Sequence, residues 1–231
     1  MTRRRWIADE FSDNEAAIVG DHAAHLVRVL RVQVGEEFDI AAGSAVRRGK
    51  VTRISPERVE FELGEVLAAA AATRISLLLA IFKFDRLEWA IEKCTELGVA
   101  RIVPVIARRT DTHLASASAK RVERWRKIAL QAAEQSRRSC PPEISDPLKL
   151  KEAVKESGGM KIVLSESEHK VLLRDVLHAD YADVLLAIGP EGGWSEDELQ
   201  LFQQAGWISA SLGPTILRAE TAAIAAVAIA I

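Results

Sequence analysis

Apolar positions change their period partway along this 231-residue chain. In the first 66 residues, VGEEFDIAAG and RRGKVTRIS alternate apolar and polar side chains, which predicts half-buried strands with a turn at Gly43 and Ser44. ISLLLAIF (75–82) is instead a continuous apolar run, the kind buried on both faces of a parallel sheet. DRLEWAIEKCTELG (85–98) places Leu87, Ala90, Ile91, Cys94 and Leu97 at helical spacing, with Gly98 as C-cap. RIVPVI (101–106) reads as the next strand, and KRVERWRKIALQAAEQSRR (120–138) as a long basic helix stopped by Pro141 and Pro142. KIVLSE (161–166), DVLLAIG (183–189) and WISASLG (207–213) are three further strands, and Ser195 with Glu198 forms a capping box opening a helix over 195–205. A last helix, 219–231, is apolar nearly all round and is expected to be buried. Between the two regimes, EVLAAAAATR (65–74) reads as a low-complexity joint and domain boundary, or as a helical continuation. Strands alternating with helices predict an α/β sheet behind a small β-rich domain.

Composition narrows the function. The hydrophobic fraction of 48% suits a full core, and a net charge of -2 announces no polyanionic partner for the chain as a whole. The average hides an asymmetry. Residues 101–138 hold ten Lys/Arg against three Asp/Glu, and 139–231 hold seven against fourteen. The basic block is either a solvated helix face or a surface for a polyanionic partner. Cys94 and Cys140 are far apart, without the spacing of a disulfide framework or a metal site. MTRRRWIADE lacks an apolar signal core and no late apolar run is long enough to span a bilayer, so a soluble, cytoplasmic protein is expected.

Two strands end in Gly-Pro, at Gly189-Pro190 and Gly213-Pro214, each ahead of a helix. A third ends at Ser165-Glu166. Ligands of open α/β sheets sit outside the carboxyl ends of strands, so these loops are either tight turns alone or walls of a ligand cleft. The chain has no GxGxxG after a strand and no GxxxxGK[ST]. Glu191 within GPEGG disfavours phosphate and favours a cationic ligand, or one carrying hydroxyls and an amine.

GPEGGWSEDE, ILRAETAA after the strand end LG, FKFDRLEWAIEKCTELGVARIVPV, AAEQSRR and HLVRVLRVQVGE together resemble the ribosomal RNA small subunit methyltransferase E family, over nearly the whole chain. The resemblance implies a SPOUT-type α/β domain over 73–231, knotted as a trefoil over roughly 160–231, behind a PUA-like β-barrel over 1–68, and a homodimer. It implies methylation of N3 of a uridine in 16S ribosomal RNA with S-adenosylmethionine. The cofactor would then be held by Leu164, Ser165 and Glu166, by Ile188, Gly189, Pro190, Glu191, Gly192 and Gly193, and by Leu212, Gly213, Ile216 and Leu217. Many members carry a basic residue just before ILR, where this chain has Thr215.

N3 of uridine is a poor nucleophile until deprotonated, so the protein must orient the reactants and stabilise an imide anion. Arg218, whose charge does not titrate away, is the candidate for that anion. Glu220 either orients Arg218, accepts the proton, or simply favours the first helical turn. Glu134 and Gln135 are further candidates. RNA contacts are expected from Arg108, Arg109, Arg137 and Arg138 of the basic block and from Arg5, His25, Arg28 and Arg31 of the first domain. His25 is alternatively a packed or capping histidine, and Trp125 either core or a stacking platform for a base. The rival to an enzyme is a non-catalytic RNA-binding ribosome assembly factor.

Overall fold

The alternating segments of the first third pair into one six-stranded sheet: β1 (Arg5–Ile7), β2 (Glu10–Phe11), β3 (Glu15–Val19), β4 (Glu37–Ala42), β5 (Ala45–Ser55) and β6 (Arg58–Ala69). The computed structural model describes residues 5–43, 45–69, 75–177 and 183–231, with backbone alone at 68 and 69. Its contacts divide the chain into two units, residues 1–72 with 133–141 and residues 73–132 with 142–231.

In the first unit the strand order is β1-β4-β5-β6-β3-β2, with β1 and β4 parallel and the other neighbours antiparallel. Ala8 N–H donates to Ala41 on the β4 side at 2.9 Å and Asp9 N–H donates to Ala17 on the β3 side at 3.0 Å, so the two ends of the sheet meet. The inward residues Ile18, Ile40, Val51, Val59 and Phe61 pack with Leu26, which follows helix α1 (Gly20–His25). β6 runs through residues 65–69, because pairing of Ala68 with Val46 and Ala69 with Ala45 overrides the helix preference of alanine. That half of the expected joint is therefore strand, while 70–74 and Ser44 of the expected turn lie outside the described residues.

Segment 133–141 is held in this unit by charge. His22 Nε2 lies 3.0 Å from Glu134 Oε1 and Nδ1 lies 3.6 Å from Asp9 Oδ2, as ion-pair contacts rather than aligned hydrogen bonds. Glu134 Oε1 also accepts from Ile7 N–H at 3.2 Å. Burial by itself lowers the imidazole pKa, but the two flanking carboxylates outweigh it and raise His22 from 6.5 to about 9. The folded state thus binds the proton more tightly than the unfolded one. The stabilisation is complete below pH 6.5 and is lost as the pH rises through about 9. Chemical denaturation is expected to show a loss on the order of 2 kcal/mol across that window, absent from His22→Gln. An equal loss in the variant would show that other groups carry it.

The second unit is a parallel sheet covered on both faces. Its strands are β7 (Ile75–Ala80), β8 (Arg101–Ile106), β9 (Glu143–Ile144), β10 (Leu148–Lys149), β11 (Met160–Leu164), β12 (Val184–Ile188) and β13 (Ile208–Ala210). The order is β10-β8-β7-β12-β11-β13, with β9 also on β8. Its helices are α2 (Phe84–Glu96), α3 (Thr112–Ala117), α4 (Val122–Gln135), α5 (Leu150–Ala153), α6 (Leu173–Val176), α7 (Glu196–Gln204) and α8 (Ala219–Ala230); the last three residues of α4 group with the first unit. Successive strand residues point to opposite faces. Leu77 and Leu79 therefore join Trp125, Ile91 and Val227 on one side, while Leu78 and Ala80 join Phe202, Trp194 and Trp207 on the other. Trp125 is fully buried and 6.0 Å from Phe84 between ring centroids, which makes it core rather than a base platform.

Two expectations change here. The basic helix does not run over 120–138: Ser118–Arg121 is a tight 3-10 turn, and α4 ends at Gln135 because Arg137 takes the left-handed conformation, φ 60°. The final helix is not buried all round. Ala219, Glu220, Ala223, Ala226 and Val227 form one buried stripe, whereas Ile229 and Ile231 are 41% and 73% exposed. A single helix laid against α2, α6, β7 and β12 has only part of its circumference to give them. Among the described residues no helix is long and apolar enough to cross a membrane.

Candidate active site

β7, β12, β11 and β13 are neighbours and parallel, so their carboxyl ends open on one side. Leu164 and Ala210 are register partners, and Val163 faces Ala187 one step from the end of β12. The loops after these three strands enclose a cavity of about 500 Å³, lined by residues 164–167, 188–191, 193–194 and 211–217 among others. That volume is in the range of small-molecule sites. Of the thirteen expected cofactor residues, twelve line it. Gly192 does not: its carbonyl is turned to accept from Arg109 Nη1.

Glycine is required where the loops bend. Gly193 has φ 68°, and its N–H closes a turn by donating to Pro190 O at 2.8 Å. A Cβ there would stand 3.0 Å from Glu166 Oε1, so the bare backbone lets that carboxylate lie against the loop. Gly213 has φ 130°, and its N–H donates to the buried Ser211 hydroxyl at 3.1 Å. After the first loop, Ser195 caps α7 as expected. Its N–H donates to Glu198 Oε2 at 2.8 Å, while Glu198 Oε1 accepts from Arg108 N–H at 2.7 Å. This ties the end of β8 to the start of α7.

The wall is acidic. Glu166, Glu191 and Glu196 all line the cavity, together with His169, and the cation among the lining residues is Arg109. Arg109 is already engaged, donating to Gly192 O and, at 3.4 Å, to Trp194 O. The polar groups present therefore suit a cationic, hydroxyl-bearing ligand of nucleoside size and offer no cradle for a polyphosphate.

Arg218 is the N-cap residue of α8; its side chain is exposed and has no hydrogen bond or ion pair among the described residues. Its neighbours Leu217 and Ala219 both line the cavity. Glu220, two residues on, is buried and faces Arg86, with Oε1 3.8 Å from Nε, and its Oε2 has no hydrogen-bond partner. It is absent from the cavity wall. Glu134 is taken up by His22, and Gln135 is exposed at the end of α4.

The expected RNA-contact residues separate into three situations. His25, Arg28 and Arg31 are exposed in the first unit, so His25 is not a packed histidine; His22 is the packed one. Arg5 donates to the Arg137 carbonyl, and burial lowers the Arg138 guanidinium pKa from its ordinary value. Arg108 pairs with Asp197, and Arg109 holds the glycine loop. The pattern reading missed Arg86. The signal was its position just after β7, at the same sheet end as the glycine loops.

Comparison with known proteins supplies the family. The model of the RNA methyltransferase domain matches residues 69–231. The ribosomal RNA small subunit methyltransferase E of Rickettsia conorii is 31% identical, over 97% of this chain and 93% of its own. Among solved structures, a Legionella pneumophila protein in complex with bound SAM superposes with TM-score 0.86 at 31% identity, covering 100% of this chain and 97% of that one. The ribosomal RNA small subunit methyltransferase E of Neisseria gonorrhoeae, bound to S-adenosyl methionine, gives 0.85 at 29% identity, covering 98% and 96%. On a match of this extent, and with the three-loop cleft in place, this chain belongs to the ribosomal RNA small subunit methyltransferase E family.

Proposed function

We propose that this chain methylates N3 of a specific uridine in the 16S RNA of the small ribosomal subunit. At the coarser level it is an S-adenosylmethionine-dependent ribosomal RNA methyltransferase, by family membership and by the cofactor carried in similar structures. The observation that carries the reading is the acidic, glycine-walled cleft at the ends of β11, β12 and β13.

S-adenosylmethionine, when bound, supplies a methyl group already activated on a sulfonium. Main-chain groups of residues 164–166, 188–191, 193 and 212–217 would hold and orient it, and the wall carboxylates would favour its positive charge. Arg218 stabilises the negative charge that builds on the uracil ring as N3 loses its proton. The exposed cations Arg28, Arg31 and Arg108, with Arg5, Arg109, Arg137, Arg138 and His25, engage RNA phosphates.

The first unit serves as the PUA-like barrel, the expectation for residues 1–68, with segment 133–141 added. The meeting of its sheet ends supports this. Threading of the chain through a trefoil knot within 160–231 fits the path of residues 171–173. Ser211 N–H donates to Val171 O and Leu173 N–H donates to Ser211 O, a parallel bridge just before the chain returns as α8 against β12 and β7. The homodimer is supported by the uncovered apolar end of α8 and by Trp89 of α2, 47% exposed on the helix α8 packs against.

The test is transfer of labelled methyl from S-adenosylmethionine to 30S particles and to naked 16S RNA, followed by mapping of the product. One methyl per RNA on N3 of a single uridine is expected. A methyl on another atom would remove the N3 assignment, and binding without transfer would leave a non-catalytic assembly factor.

A further inference from the structure

We infer that Arg86 is a positioning residue that locks the Gly189–Gly193 loop and the first turn of α8 into one register, setting the cofactor wall and Arg218 relative to each other. The inference rests on reading the cleft as the methyl-donor site. Arg86 lies in the first turn of α2. Its Nη1 donates to Glu191 Oε1 at 2.7 Å, and its Nε lies 3.8 Å from Glu220 Oε1. One planar cation thereby joins three segments that are distant in sequence.

Each carboxylate needs it for a different reason. Glu191 shares the cavity wall with Glu166 and Glu196, so without a counter-charge it is repelled from its own side of the cleft. Glu220 is buried and has one oxygen without a hydrogen bond, so loss of Arg86 would leave its charge buried without the cation that faces it. The direct relief is outward movement of the first turn, and Arg218 sits two residues before Glu220 on that turn. Arg109 complements this from the other side. It grips main-chain carbonyls of Gly192 and Trp194, which fixes the loop's shape, whereas Arg86 grips side chains of two elements, which fixes their mutual placement. A lysine would supply one point charge and could not present two edges to two carboxylates.

The experiment uses the full chain with Arg86→Ala, Arg86→Lys, Glu220→Gln and the Arg86→Ala/Glu220→Gln double variant. Arg86→Ala is expected to weaken S-adenosylmethionine binding about tenfold and to slow single-turnover transfer by at least as much. Arg86→Lys should recover much of the binding but little of the rate. The double variant should transfer faster than Arg86→Ala, because the orphaned charge is gone. Additive effects in that cycle would overturn the inference. A second readout needs no cofactor: hydrogen exchange at Gly193 and Ala222, whose N–H groups close the loop and the first turn on Pro190 and Arg218. Faster exchange at both in Arg86→Ala, with β7 and β8 unchanged, supports the register. Unchanged exchange, or a uniform rise across the sheet, sinks it. Should the wild-type chain neither bind nor transfer, the donor-site reading fails while the exchange result still decides the role of Arg86.

Discussion

Arg218→Ala is expected to lower kcat for methyl transfer by about 10²–10³ while leaving the fold and S-adenosylmethionine binding close to wild type. The side chain is exposed, so its removal opens no cavity in the core. Its guanidinium has no internal partner to strand, since no hydrogen bond or ion pair engages it among the described residues. What is lost is a permanent positive charge one residue from two positions on the cleft wall. That charge matters only once N3 becomes anionic, so the effect falls on kcat rather than on cofactor affinity. The measurement pairs single-turnover transfer with calorimetric cofactor binding. Wild-type turnover in the variant would remove Arg218 from the mechanism.

Gly193→Val is expected to weaken cofactor binding by about 100-fold or more, through backbone strain and a filled wall together. At φ 68° a β-branched residue is a conformational outlier. The loop would have to abandon the Gly193–Pro190 hydrogen bond or displace the Glu166 carboxylate, 3.0 Å from the new Cβ. Both responses move the wall inward or outward. The apolar sheet beneath, Leu186 to Ile188, is untouched, so the melting temperature should fall by only a few degrees. Calorimetric titration with S-adenosylmethionine checks it, and unaltered affinity would show that the loop does not form the wall.

Much of the molecule could be read from local pattern. β8 occupies the segment RIVPVI, α2 and α7 fall within two residues of their expected limits, and the capping box at Ser195 and Glu198 is formed. These features depend on periodicity and on contacts three or four residues apart, which a sequence displays directly. The loops were legible for the same reason, since Gly193 and Gly213, at φ 68° and 130°, mark bends that other residues resist. Reading failed where a distant strand or charge intervened. Residues 65–69 extend β6 because β5 lies beside them, and Glu134 serves His22. The apolar end of α8 stays open because composition says how apolar a helix is, not how much of it neighbours can reach.

The sequence by itself marked the main strands of the parallel sheet and helices α2 and α7, and showed that two of the three strand-end turns carry glycine and two an acid, with no phosphate motif. Only the tertiary structure decided that β12 lies between β7 and β11. That order carries Arg86, Arg109, Glu166 and Glu191 from four strand ends to one side of the sheet. The physical reason is that any of these apolar parallel strands can satisfy its backbone hydrogen bonds against any other. The choice of neighbour comes from how all the helices and loops pack at once, and no single segment encodes it.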